Sequence, residues 1–273
     1  MVAAGAMHAG WNALIKIRLE PLLAVTLINA TAAVVCLPFL FWFGWPGPES
    51  YPWLAASAIL HTGYNFLLAS AYRIADMSLV YPVARGSAPL LTALFSLVIL
   101  KEPVGWLGGL GIAVLGFGIF AMSIRTPSET ANMDRKALLM AGATAVMICG
   151  YTIADGTGAR VSGNTAGYVS AMFLFDGLFI ALIALWMRGR EGVRAMLGFA
   201  GPGIAGGTMA CLAYAIAIWA MTVAPIPLVA AVRETSVLFA AVIAVVILKE
   251  PLRTNRLVGA AMIVAGLVMI RLQ

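Results

Sequence analysis

The chain has 273 residues, 62% of them hydrophobic and 10% charged, with a net charge of +6 and a mean hydropathy of +0.98. A soluble domain carries roughly 25% charged residues, so this composition excludes a water-soluble globular fold and predicts an all-α integral membrane protein. The basic residues stand singly or in pairs along the loops, which excludes a nucleic-acid-binding patch and fits anchoring against a lipid bilayer.

Apolar stretches near the ~20 residues that cross a bilayer core are predicted at 1–15, 22–43, 53–72, 77–100, 105–123, 137–156, 166–187, 201–221, 227–248 and 255–270. The first lacks a basic start and carries His8, Trp11 and Asn12, so it is not a cleavable signal. It is short beside its later counterpart, which suggests a start slightly upstream. It contains HAGWN (8–12), and the third span contains HTGYN (61–65). In each pentapeptide the histidine and asparagine are four apart and share one helix face. On the third span His61, Asn65, Leu68 and Tyr72 form a stripe, with Tyr64 alongside. Spans one and three run in the same direction, so the two pentapeptides are expected at comparable depths.

The fourth span carries Tyr81 one turn before Arg85, among Pro82, Gly86 and Pro89. These prolines and this glycine are expected to weaken helix hydrogen bonding and free backbone groups. The sixth span reads ICGYT (148–152) where the first has HAGWN, placing Tyr151 on Trp11. The seventh carries Asp176 at its centre, on a helix expected to be peripheral. The eighth has Met209 and Ala213 where His61 and Asn65 would fall, so a one-sided polar lining that reads an asymmetric solute is expected. The ninth carries Arg233 and Glu234. Asp155 ends the sixth, and Arg73 with Asp76 is expected to cap the turn after the third. Cys36, Cys149 and Cys211 all fall in apolar spans; an odd number without paired spacing reads as small packing residues.

An internal repeat organises these spans. VILKEP occurs at 98–103 and at 246–251, an offset of 148 that also superposes Arg85 on Arg233, Gly111 on Gly259 and Gly118 on Gly266. The expected domains are therefore 1–123 and 137–273, with 124–136 as linker. Each half holds five spans, an odd number, so the second enters the bilayer inverted relative to the first. Pro103 and Pro251 suit the first turn of a helix, and Glu102 and Glu250 its positive dipole end. The glycines of spans five and ten allow close helix approach, making those spans the candidate homodimer surface.

Two five-span halves, each with ILKEP before a glycine-rich helix, resemble the EamA-type members of the drug/metabolite transporter superfamily. The resemblance covers the whole chain. It implies transport activity in a ten-helix fold, with spans 1, 3, 4, 6, 8 and 9 around a central cavity and 5 and 10 outside it. It also implies that both termini are cytoplasmic, whereas the basic residues favour both outside: with cytoplasmic termini, Lys101, Arg160 and Arg271 alone would lie on the inner side.

Ionisable residues inside spans mark function by default. The candidate solute contacts are His8, Trp11, Asn12, His61, Tyr64, Asn65, Tyr81, Arg85, Tyr151 and Arg233, with Glu234 as the candidate proton-coupling carboxylate. For the two histidine–asparagine pairs the competing reading is hydrogen bonding between helices. For the arginines it is ion pairing with Glu234, Asp155 or Asp176. At 1.5 Å per residue both arginines sit about 9–12 Å from the start of their helices, flanking the midplane from opposite sides. This suits an anionic group, which the guanidinium fork matches. The expected function is secondary active export of a small polar or anionic metabolite across a bacterial cytoplasmic (inner) membrane, coupled to protons. The alternatives are a lipid-carrier flippase and, more remotely, a bis-histidine haem electron carrier through His8 and His61. No Walker, HExxH or GxSxG signature is present in the sequence, so ATP drive and enzymatic activity are not expected. Neither is a cofactor or a metal.

Overall fold

The computed structural model describes residues 1–15, 19–74, 77–123, 135–246, 249 and 253–273. The side chains at 13, 15, 69, 72–74, 77–82, 123 and 137 lie outside that description. Eleven α-helices occur among the described residues: α1 (Val2–Ile15), α2 (Pro21–Phe43), α3 (Tyr51–Ile74), α4 (Met77–Phe95), α5 (Trp106–Ser123), α6 (Arg135–Val161), α7 (Thr165–Leu197), α8 (Ala200–Val223), α9 (Ile226–Arg233), α10 (Ser236–Val246) and α11 (Thr254–Arg271). Helices dominate because lipid offers backbone groups no hydrogen-bond partner, so each segment must satisfy its own. By length and composition, seven described segments can cross a membrane, one of them spanning α9 and α10. The shorter or more polar α1, α3 and α5 are not among them. Large apolar side chains point outward, with Phe41, Trp42, Trp106 and Trp186 all more than three-quarters exposed, as a lipid-facing surface requires.

The main packing partners are α5 with α11, α2 with α7, α3 with α6, α4 with α6, α2 with α8 and α1 with α8. The α5–α11 contact is a glycine seam. A Cβ on Gly111 would lie 2.7 Å from the Gly266 carbonyl oxygen, and one on Gly118 would lie 2.8 Å from that of Gly259. The two contacts run in opposite chain directions, so the helices are antiparallel. Both glycine faces are consumed within the chain.

The fourth and ninth spans differ from expectation. Pro82, Gly86 and Pro89 do not interrupt α4, which runs unbroken and ends in a wide π-helical turn at Ser96–Leu100. The ninth span breaks instead, between Arg233 and Ser236, where Glu234 and Thr235 bond back three residues rather than four. Gly5 of α1 makes room there, since a Cβ on it would collide with Thr235.

The repeated lysines end their spans alike: Lys101 has φ 52° and Lys249 φ 58°, the left-handed conformation that closes helices. Pro103 does not sit in a first helical turn, because α5 starts at Trp106. Glu102 pairs with Arg160 of α6 rather than resting on a dipole alone, and the same guanidinium donates to the carbonyls of Met221 and Ala224. Glu250, Pro251 and Asp76 lie outside the described residues. α6 begins at Arg135, inside the stretch read as linker. Cys36 and Cys211, unrelated by spacing, meet as free buried thiols with sulfurs 2.8 Å apart, joining α2 to α8.

Candidate solute site

Polar side chains from α1, α3, α4, α6, α8 and the α9–α10 break gather in one region. On α4, Arg85 is 2% exposed, with Nε 3.1 Å from the Glu234 carboxylate and Nη2 2.9 Å from His8 Nε2. Trp11 Nε1 lies 3.2 Å from His8 Nδ1, and the two rings meet edge-on at 5.0 Å. An imidazole with one N–H can accept from only one of these donors. The shorter, charge-assisted contact with Arg85 is the stronger. Asn12 Nδ2 donates to the His8 carbonyl at 2.8 Å, so that amide serves its own helix.

His61 is buried on α3, stacked on Tyr151 of α6 at 4.0 Å and edge-on to Tyr214 of α8 at 5.8 Å. Its Nδ1 lies 3.1 Å from both the hydroxyl and the carbonyl oxygen of Ser57. Tyr64 meets the Tyr151 ring edge-on at 5.7 Å, and Asn65 is buried. The Tyr81 side chain lies outside the described residues.

Arg233 ends α9. Its guanidinium lies over Tyr214 at 5.3 Å and over Tyr151 at 6.0 Å, and its hydrogen bond to Thr152 Oγ1 is long at 3.5 Å. Among the described residues no carboxylate lies within ion-pair distance of it, Nε has no hydrogen-bond partner, and the side chain is 3% exposed. The last turn of α9 offers the cation a negative dipole end, but that is partial compensation. Of the two arginines, then, Arg85 is internally paired, and Arg233 has no ion-pair partner among the described residues.

Three residues of this region were missed or set aside in the sequence. Tyr214 lies one position beyond Ala213, so a fixed-register comparison of spans three and eight passes it by; the signal was a single tyrosine in an otherwise apolar eighth span. Asp155, weighed as an arginine partner, instead accepts from Tyr214 Oη at 2.6 Å and Tyr168 Oη at 3.2 Å. Asp176 sits on α7, which exposes Leu178, Leu182 and Trp186 on its outer face, but its own side chain is turned inward, 3% exposed, and its Oδ1 has no partner among the described residues. The lining is consequently two-sided, with Tyr151, Thr152, Asp155 and Tyr214 supplied by the second half. No group of three or more histidine, cysteine or carboxylate side chains able to hold a metal occurs among the described residues. The remote haem reading meets a His8 committed to Arg85.

No curated protein matches the chain in sequence. One solved crystal structure superposes with a TM-score of 0.74 at 19% identity, covering 99% of this chain and 94% of its own; this likeness speaks to the fold alone. The model of the EamA-like transporter family matches residues 1–124 and 135–272.

Proposed function

The chain belongs to this EamA-like transporter family, multi-pass membrane proteins that are transporters rather than enzymes, and from that premise we propose that it carries a small organic anion by alternating access. The observation that carries the proposal is Arg233, a buried guanidinium without a carboxylate partner among the described residues. An unpaired cation inside the bilayer is costly, and a bound carboxylate or phosphate supplies the missing charge through the bidentate fork. Tyr151 and Tyr214 present ring faces to that guanidinium, and His61 packs behind them against both rings. The Arg85–Glu234 pair beside it is already neutral.

Support for two inverted five-span halves comes from three directions. The two matched stretches, 1–124 and 135–272, divide the chain near the expected linker. The offset of 148 exchanges the Gly111–Gly266 contact with Gly118–Gly259, as a two-fold axis between antiparallel helices would. The same exchange carries the α3–α6 pairing onto α8–α1. The broken ninth span, with charges at the break, is of the kind secondary transporters use around bound solutes. A homodimer through spans five and ten would use their exposed outer faces, such as Leu110, Phe117 and Leu257, since Gly111, Gly118, Gly259 and Gly266 are occupied by the seam between α5 and α11.

Thermal unfolding of the purified protein with acetate, benzoate, glutamate or inorganic phosphate tests the assignment. A ligand that prefers the folded state stabilises it by about 2.7 kcal/mol at a hundredfold excess over Kd. At least one anion should stabilise wild type, Arg233→Gln should abolish the effect, and Arg233→Lys should keep part of it. Equal stabilisation of Arg233→Gln and wild type would remove Arg233 from the site. Flux of the same anion into proteoliposomes then tests transport.

A further inference from the structure

Cys36 of α2 and Cys211 of α8 meet because the register of the two helices brings them together. The helices run in the same direction and touch at Leu27 against Gly203, then at Ala32 against Gly207. A Cβ on Gly207 would lie 2.7 Å from the Ala32 amide nitrogen, and the Thr31 hydroxyl donates to the Gly203 carbonyl at 2.7 Å. About one turn further along each helix stand Cys36 and Cys211. Both are free thiols, 1% and 6% exposed, with sulfurs 2.8 Å apart in an apolar cluster that includes Leu40, Met172 and Ile218. Cys149, on α6, lies outside that cluster.

We propose that this dithiol is an oxidation site, which hydrogen peroxide closes to a disulfide that fastens the first half of the chain to the second. An S–S bond is about 2.05 Å long, so side-chain rotation closes the remaining gap while the glycine-lined seam holds the two backbones in place. The site does not depend on the anion reading above.

Peroxide is small and uncharged, which suits it to thiols inside a bilayer. Cys211, the more exposed of the two, reacts first. Its sulfur takes one peroxide oxygen, the O–O bond breaks, and the other oxygen leaves as water with the thiol proton. The product is a sulfenic acid, which condenses with a neighbouring thiol. The Cys36 sulfur attacks that of Cys211, the S–O bond breaks, and the hydroxyl leaves as a second water with the Cys36 proton. Two thiols and one peroxide thus give one disulfide and two waters, with two electrons passing from sulfur to oxygen. A partner sulfur already in contact favours this condensation over further oxidation of the sulfenic acid.

Full-length wild type, treated with hydrogen peroxide in detergent, then unfolded and labelled with N-ethylmaleimide, tests the site by peptide mass. Before treatment Cys36, Cys149 and Cys211 should all take the label. Afterwards Cys149 alone should take it, with Cys36 and Cys211 recovered in one cross-linked peptide, and reduction after unfolding should restore label at all of them. The bond closes a loop across 175 positions, so oxidation should raise Tm by about 5 °C or more. Cys36→Ala and Cys211→Ala, treated alike, should show neither the cross-link nor the rise. Full labelling after peroxide, sulfinic acid at either position in place of the cross-link, or a cross-link without a rise in Tm relative to the variants would overturn the proposal. No solute enters the assay, so these outcomes leave the anion reading intact. Failure of Arg233→Gln to alter anion binding would strike that reading and leave the thiol pair untouched.

Discussion

Glutamine in place of Arg85 and glutamine in place of Arg233 should affect stability very differently, although the two arginines occupy equivalent positions of the repeat. Arg85→Gln strands Glu234, whose carboxylate is 1% exposed and 3.1 Å from the lost Nε. Removing one member of a buried pair costs roughly 3–5 kcal/mol, because the partner's charge stays buried. Arg233→Gln removes a charge that has no described carboxylate within ion-pair distance. It forfeits two ring contacts at 5.3 and 6.0 Å and one hydrogen bond at 3.5 Å. Each ring contact is worth about 0.5–2 kcal/mol, and release of the unbalanced cation offsets much of that loss. The net change should stay within about 1 kcal/mol of zero. At roughly 2–4 °C per kcal/mol for a chain of this size, Arg85→Gln should lower Tm by about 6 °C or more, and Arg233→Gln by a few degrees at most. Adding Glu234→Gln to Arg85→Gln removes both charges and should recover most of the loss. Thermal unfolding of the four proteins in one detergent reads this directly. Equal losses for the two arginine variants, or no recovery in the double variant, would refute the pairing and the open state of Arg233 together.

Gly111→Ala should destabilise by about 1 kcal/mol, since overpacking against the Gly266 carbonyl costs ~1–3 kcal/mol and outweighs the ~1 kcal/mol gain in helix propensity. Gly109→Ala, with nothing within 4 Å of its new Cβ, should instead gain up to about 1 kcal/mol, and the same unfolding assay separates the two signs. Arg160→Ala should cost roughly 1–3 kcal/mol by leaving the Met221 and Ala224 carbonyls without their donor. Arg160→Lys should recover less than half, because one ammonium cannot reproduce the guanidinium's spread of donors.

Features set by local pattern were readable before the structure. The polar residues at 8, 61, 85 and 233 announced themselves because ionisable side chains are rare in apolar spans, and the offset of 148 brought out the glycines that meet between α5 and α11. What escaped depends on relations between helices. Repeat equivalence marks Arg85 and Arg233 as alike, yet only tertiary placement gives one of them Glu234. Helix-breaking residues in 82–89 drew attention to α4, while the break formed in a stretch with no proline or glycine, against a glycine on α1. Tyr214 and Asp176 depended on how two helices rotate about their axes, which apolar sequence constrains weakly because almost every face is greasy. The Cys36–Cys211 contact crosses 175 positions, and no spacing rule reaches that far.

The joint in the ninth span lies between oppositely charged neighbours, with Arg233 closing α9 and Glu234 leading into α10. Any bend there swings the acid, and with it the hold on α4, while the base stays fixed to the first segment. Shape and charge distribution at this joint cannot change independently, so a spectroscopic ruler between α4 and α10 would report on the electrical state of the centre as well as on its geometry.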